Sequence, residues 1–189
     1  MPDIVLGLNA YHADSSAAIF VDGVLLAATE EERFRRIKHW AGFPSEAIKF
    51  CLNEAGCTLS EVDAITLGRD PQAKKLNKAA FVVKHPRIAS ALWRQRSANK
   101  DDITLLHERF REVEPSTNVE MVKDKIQFIE HHRSHLASAF YPSPFEEAAI
   151  LSIDGSGDFT TTMLGRGKDT NIDVIESVSY THLTLPTIE

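Results

Sequence analysis

Residues 4–29, IVLGLNAYHADSSAAIFVDGVLLAAT, read as three short strands joined by two very different connections. Ile4 to Leu8 is an apolar run of strand length, Ala17 to Val21 resumes it, and Val24 to Thr29 answers as the third strand. Asp22-Gly23 between the last two is a tight hairpin signal, because both residues tolerate the positive φ that such a turn imposes. The first connection, Asn9 to Ser16, is instead a long bend rich in amide, imidazole, carboxylate and hydroxyl groups, which is unusual for a hairpin.

The same series returns near the other end of the chain. Ala149 to Ile153 is apolar, Asp154-Gly155-Ser156-Gly157-Asp158 is a polar turn, Thr160 to Gly167 completes a hairpin, and Ile172 to Ser177 supplies a third strand. Two meanders, each with an Asp- or hydroxyl-bearing bend after its first strand, are what a duplicated α/β fold of the actin or sugar-kinase (ribonuclease H-like) kind requires. In that fold the two bends face each other across a cleft and hold phosphates from both sides. The repeat predicts a complete first half over 1–147 and a second half, 148–177, that is only begun.

Between the meanders, Glu30 to Trp40 is too charged and too interrupted to bury. Ser45 is placed to cap a helix over 46–55, whose apolar residues Ala47, Ile48, Cys51 and Leu52 share a side and whose stop signal is Gly56. Val62 to Gly68 is the next strand. Residues 70–125 read as a helical insertion covering the sheet, with helices near 76–97 and 101–114 and a break at Pro86. Trp93, Phe110 and the basic residues of this insertion read as packing and solvated face. Ile126 to Ile129 is a short strand, and Tyr141-Pro142 ends the helix that follows it.

That helix carries Glu130-His131-His132-Arg133-Ser134-His135. Four residues apart, His131 and His135 share one face, as two imidazoles must to reach one metal ion, while His132 points about 100° away. The spacing alone leaves a satisfied surface or core pair standing as the alternative. Asp154, at the end of a buried strand, offers an oxygen ligand, and Gly155 and Gly157 let backbone N–H groups approach an anion. Together the two pieces point to a metal beside a phosphate.

A net charge of −6 over 189 residues gives no general pull toward nucleic acid or anionic lipid, although Arg33, Arg35, Arg36 and Lys38 are locally positive. No apolar stretch approaches the roughly 20 residues of a membrane span. Cys51 and Cys57 are the two cysteines, and with no secretory leader the expected compartment is the reducing cytoplasm. Residues 178–189 fit neither a strand nor a cap. Their first ten can be written in codons that match the end of a transposase-made sequencing library, so the tail is expected to be read-through and the natural gene to continue beyond Ser177.

The stretches 7–18 (GLNAYHADSSAA), 30–44 (EEERFRRIKHWAGFP), 130–140 (EHHRSHLASAF) and 152–158 (SIDGSGD) resemble the carbamoyltransferase family that includes the nodulation and antibiotic-tailoring O-carbamoyltransferases. The resemblance implies an N-terminal domain similar to the universal tRNA threonylcarbamoyl-transfer protein. It also implies a C-terminal domain that makes carbamoyl-adenylate from carbamoyl phosphate and ATP, and transfer of the carbamoyl group to a hydroxyl of a small acceptor. His131, His135 and Asp154 then become metal ligands, usually for iron, with a further Asp beyond this chain. His12 is the implied base or acceptor-orienting group and Asp14 the second choice. Gly155, Ser156 and Gly157 line the adenylate phosphate, and Arg36 and Lys38 touch acceptor or phosphate. On this reading residues 1–189 alone do not complete the reaction. The competing enzyme reading is an ATP-dependent small-molecule kinase of the same fold, which gives the His pair no role; a ligand-binding or misfolded fragment is the non-enzymatic one.

Overall fold

The computed structural model describes residues 2–84 and 105–179. They form two compact units, one from 2–68 and 105–128, the other from 69–84 and 129–179.

In the first unit, β1 (Ile4–Asn9), β2 (Ser16–Val21) and β3 (Val24–Glu30) form the antiparallel meander. Asp22 and Gly23 close its hairpin with φ of 51° and 78°. β4 (Ala64–Leu67) and β5 (Ile126–Phe128) add in parallel on the far side of β1, giving the order β3-β2-β1-β4-β5. A parallel neighbour needs a crossover. It contains α1 (Glu32–Arg35) and α2 (Ser45–Ala55), and α2 packs on β2 and β3. This strand order and polarity are those of a ribonuclease H-like half.

The core follows from the two periodicities. β1 alternates buried and half-buried positions, and α2 buries Ala47, Ile48, Cys51 and Leu52. Leu6, Ile19, Ile48 and Ile65 are fully enclosed, each contributing about 1.5–3 kcal/mol. Burial also pushes the Cys51 thiol up to about 11, and both cysteines are free. Gly56 ends α2 in the left-handed conformation at φ 63°, as its position predicts.

Two sequence expectations change here. Ser45 does not cap α2: it lies inside the helix, and its hydroxyl accepts a hydrogen bond from Arg35 at 2.9 Å. The cap comes from Glu31, whose carboxylate accepts from Ala47 N at 2.8 Å and Glu46 N at 3.3 Å while ion-pairing with Arg35 at 2.6 Å. Glu31 is therefore fully buried, inside a segment whose charge argued against burial. The charge is tolerated because every partner it needs is supplied locally.

The reading of 70–125 divides. Residues 85–104, with Pro86 and Trp93, lie outside the described residues. α3 (Lys75–Lys84) belongs to the second unit, whereas α4 (Leu106–Arg109), a 3-10 turn (Phe110–Glu112) and α5 (Val119–Lys125) bury Leu106, Phe110, Val113 and Val122 in the first core. Phe110 meets Phe43 edge-on at 5.2 Å.

In the second unit, β6 (Glu147–Gly157), β7 (Thr160–Lys168) and β8 (Asn171–Ser179) repeat the antiparallel meander. α6 (His131–Phe140) packs across β6 and β7, with Leu136 and Phe140 in a small core with Ile150 and Met163. Two boundaries move. The Asp154-Gly155-Ser156-Gly157 stretch is an irregular continuation of β6, with a register shift between Ile153 and Gly157, and the turn proper is Asp158-Phe159 at φ 48° and 67°. Val178 and Ser179 continue β8, pairing with Thr162 and Thr160, because ladder hydrogen bonds join backbones whatever the side chains. Residues 180–189 lie outside the described part. Among the described residues no helix is long and apolar enough to cross a membrane.

Candidate metal centre

The start of α6 is fixed by two carboxylates. Glu130 is the N-cap and accepts from Arg133 N at 2.8 Å. Asp158, from the hairpin turn, accepts from His131 N at 2.9 Å and from Asp70 N at 2.7 Å with the same oxygen. Both negative charges sit where the helix presents unsatisfied N–H groups and the positive end of its dipole. From that start the helical period sorts the three histidines. His132 is completely buried, with Nδ1 2.8 Å from Ser152 Oγ and Nε2 3.0 Å from the Thr160 carbonyl oxygen. A carbonyl only accepts, so Nε2 carries the proton and Nδ1 accepts from the Ser152 hydroxyl. His132 is structural.

His131 and His135 turn to the other side, where β6 delivers Asp154. His131 Nε2 lies 2.8 Å from Asp154 Oδ2 and 3.0 Å from His135 Nε2, and His135 Nε2 lies 3.8 Å from the same Asp154 oxygen. The circle through these three atoms has a radius of about 1.9 Å, and bonds from a divalent transition metal to imidazole nitrogen or carboxylate oxygen run at about 2.0–2.2 Å. One ion can therefore touch all three. Two imidazoles and one carboxylate form a mixed N/O donor set suited to iron, zinc or a similar divalent ion.

Two supports orient the triangle. Gly155 N donates to Asp154 Oδ1 at 2.6 Å, leaving Oδ2 for the imidazoles. Gly157 lies directly against His131: a Cβ there would stand 1.9 Å from His131 Cδ2 and 2.3 Å from Cγ, so no larger residue fits beneath this ring. Neither Gly155 nor Gly157 adopts positive φ, and the expected phosphate turn is extended backbone. The protonation states suit a metal. Burial holds the His135 imidazole below its ordinary value, reinforced by His131 and opposed by Asp154. The hydrogen bond with His131 holds the Asp154 carboxyl below its own, against a smaller opposing effect of burial. A neutral imidazole and an ionised carboxylate are the forms that bind a cation.

The other site residues named from sequence belong to the first unit. The bend after β1 is stapled to residues 40–42 by Tyr11 N to Gly42 O (3.2 Å), Ser15 N to Trp40 O (2.9 Å) and Ser15 Oγ to Gly42 O (2.8 Å). His12 and Asp14 are exposed on this bend, and Arg36 and Lys38 are exposed on the facing segment. Asp14 Oδ1 meets His39 Nδ1 at 2.9 Å, a contact that spacing could not forecast across 25 residues. The contacts of His39 with Asp14 and of Asp158 with the start of α6, and the packing of Gly157 on His131, are features of these segments that the sequence reading missed. His39 had one signal, its place in the 30–44 stretch; Asp158 had its place after the glycines.

The family described as carbamoyltransferase N-terminus matches residues 4–185. This chain belongs to the carbamoyltransferase family. Curated relatives agree along nearly its whole length. Nodulation protein NolNO of Sinorhizobium fredii is 35% identical over 96% of the chain, and the uncharacterized protein sll1178 of Synechocystis is 38% identical over 94%. The chain spans 26% and 29% of the length of these two relatives. Among solved structures, YeaZ from Pseudomonas aeruginosa superposes with a TM-score of 0.46 at 16% identity, covering 97% of this chain and 71% of that one. The ribonuclease H-like half of this carbamoyltransferase chain is marked by its β3-β2-β1-β4-β5 strand order.

Proposed function

We propose that this chain is the acceptor- and metal-binding part of an O-carbamoyltransferase, which moves a carbamoyl group from carbamoyl-adenylate to a hydroxyl of a small molecule. Carbamoyl-adenylate is made from carbamoyl phosphate and ATP elsewhere in the longer protein. The observation that carries this reading is the convergence of His131 Nε2, His135 Nε2 and Asp154 Oδ2 in a chain of this family. These residues hold iron or another divalent ion. A bound ion supplies a Lewis acid for the negative charge that builds on the carbamoyl oxygen during attack.

The chain's own groups have the remaining roles. His12 and Asp14, exposed on the polar bend, orient the acceptor and take part in removing its proton. The backbone of residues 155–157 faces the adenylate phosphate, an assignment supported at Gly155, where a Cβ would meet nothing within 4 Å and the space beside the backbone is open. Arg36 and Lys38 are exposed cations available to phosphate or acceptor.

The test is metal analysis and carbamoyl transfer in the full-length gene product, with His131→Ala alongside. About one tightly held divalent ion per chain, lost in His131→Ala together with transfer from carbamoyl phosphate and ATP, is the expected result. An unchanged metal content with phosphorylation of an alcohol by ATP would replace this reading by the kinase one.

A further inference from the structure

Four non-glycine residues in the bend and its facing segment adopt left-handed backbone: Tyr11 (φ 57°), Asp14 (φ 64°), Arg36 (φ 56°) and His39 (φ 55°). Arg36 ends α1, which accounts for it. Left-handed conformations cost L-residues energy and persist only where their surroundings impose them, and such positions cluster at functional sites. The side chains of Asp14 and His39, both in this conformation, meet at 2.9 Å. The scaffold beneath them is tied by the Ser15 staples, by the pair of Arg35 with the buried Glu31 carboxylate, and by Arg35 stacked 4.5 Å above the Trp40 ring. Asn9 Nδ2 adds hydrogen bonds to the Ala13 and Asp14 carbonyls at 3.2 and 3.0 Å, and His39 N is held by Glu32 at 3.2 Å.

The chemistry of the contact sets the tautomer. An ionised carboxylate only accepts, so the hydrogen on Nδ1 of His39 is directed at Asp14 Oδ1, and the lone pair of the neutral ring is on Nε2. His39 remains 73% exposed, so this nitrogen faces outward rather than into the core. We infer that Asp14 and His39 form an oriented base pair in which His39 Nε2 takes the proton of the acceptor hydroxyl and Asp14 acts through His39, leaving His12 to orient the acceptor. This rests on the carbamoyl-transfer reading above. In the step, the acceptor O–H bond breaks and its proton goes to His39 Nε2. The acceptor oxygen forms its bond to the carbamoyl carbon, and the carbon–oxygen bond to the adenylate phosphate breaks, its electron pair leaving on the phosphate oxygen. The imidazolium then returns the proton to solvent. The groups that face the ring are Asp14 and Glu32, both acidic, and the hydrogen bond and charge of Asp14 accordingly raise the His39 pKa above its ordinary value.

The decisive experiment uses the full-length gene product with carbamoyl phosphate and ATP as donors and glycerol as the surrogate acceptor, beside nitrogen-resolved NMR of His39. The expected spectrum shows the Nδ1–H tautomer with a titration above that of a free imidazole, which Asp14→Asn returns to the ordinary range. The expected kinetics are a loss of about 10²–10⁴-fold in His39→Ala, restored in part by added imidazole, and a shift of the acid limb of the pH profile in Asp14→Asn. An Nε2–H tautomer, or a His39→Ala variant that transfers as well as wild type, overturns the inference alone. A wild-type protein that transfers no carbamoyl group sinks the underlying reading and the inference with it.

Discussion

Among the described glycines, Gly157 has the least room for a side chain. Its hydrogen occupies the space in which any side chain would meet the His131 ring at 1.9 Å, so Gly157→Ala must displace the imidazole from its present contact with Asp154. The backbone there is extended, without positive φ, and the cost falls on the site rather than on the strand. We expect Gly157→Ala to fold, with unchanged circular dichroism, and to lose about 10–100-fold in metal affinity, as variants that disturb ligand orientation do. Isothermal titration with a divalent metal checks this, and wild-type affinity would remove Gly157 from the site. The glycine was visible in the sequence as part of a phosphate turn, but the ring packed on it was not, because that ring lies on a helix whose placement no local pattern gives.

The helix α2 shows a similar gap between pattern and cause. Its apolar stripe and its Gly56 stop were legible from spacing alone, since both follow from the 3.6-residue period and the left-handed tolerance of glycine. Its N-terminus was not, because the capping carboxylate comes from Glu31, 15 and 16 residues upstream of the amides it satisfies. Removing that carboxylate leaves the buried Ala47 N without its acceptor, while the partly exposed Arg35 guanidinium keeps only Ser45 Oγ and the Trp40 ring. Glu31→Ala should cost about 1–3 kcal/mol in urea unfolding, the range for leaving a buried donor such as Ala47 N unsatisfied. A loss under about 1 kcal/mol would mean that the pair is dispensable. The same variant loosens the scaffold under Asp14 and His39, so the NMR signature of that pair should weaken with it.

Across the chain, the strands of the meanders were read correctly because alternation and turn residues are local, whereas the placement of β4 and β5 on the far side of β1 came only with the folded chain. The His131–His135 face was legible for the same reason, whereas Asp14–His39 required the folded chain. Acid should act on the metal-free second unit in one direction. His135 and Asp154 both have folded pKa values below their ordinary ones, so the unfolded chain binds more protons than the folded one as pH falls. Stability is then full above about pH 6.5, declines as the unfolded imidazole protonates, and declines again below about pH 4 as the carboxylate titrates. Urea midpoints between about pH 7.5 and 4.5 measure the first decline, which His135→Gln should flatten; a midpoint that rises on acidification contradicts it. The exposed link between α6 and β6 has a practical consequence of its own. Phe145 is 63% exposed there, and it divides the two imidazoles from Asp154 in the sequence. Chymotrypsin cutting after Phe145 would sever the polypeptide while a bound ion still bridged the two pieces. Nicking in this link, at Phe145 or the equally accessible Tyr141, is expected to be slowed by added metal and hastened by a chelator, which would make the link a built-in gauge of site occupancy.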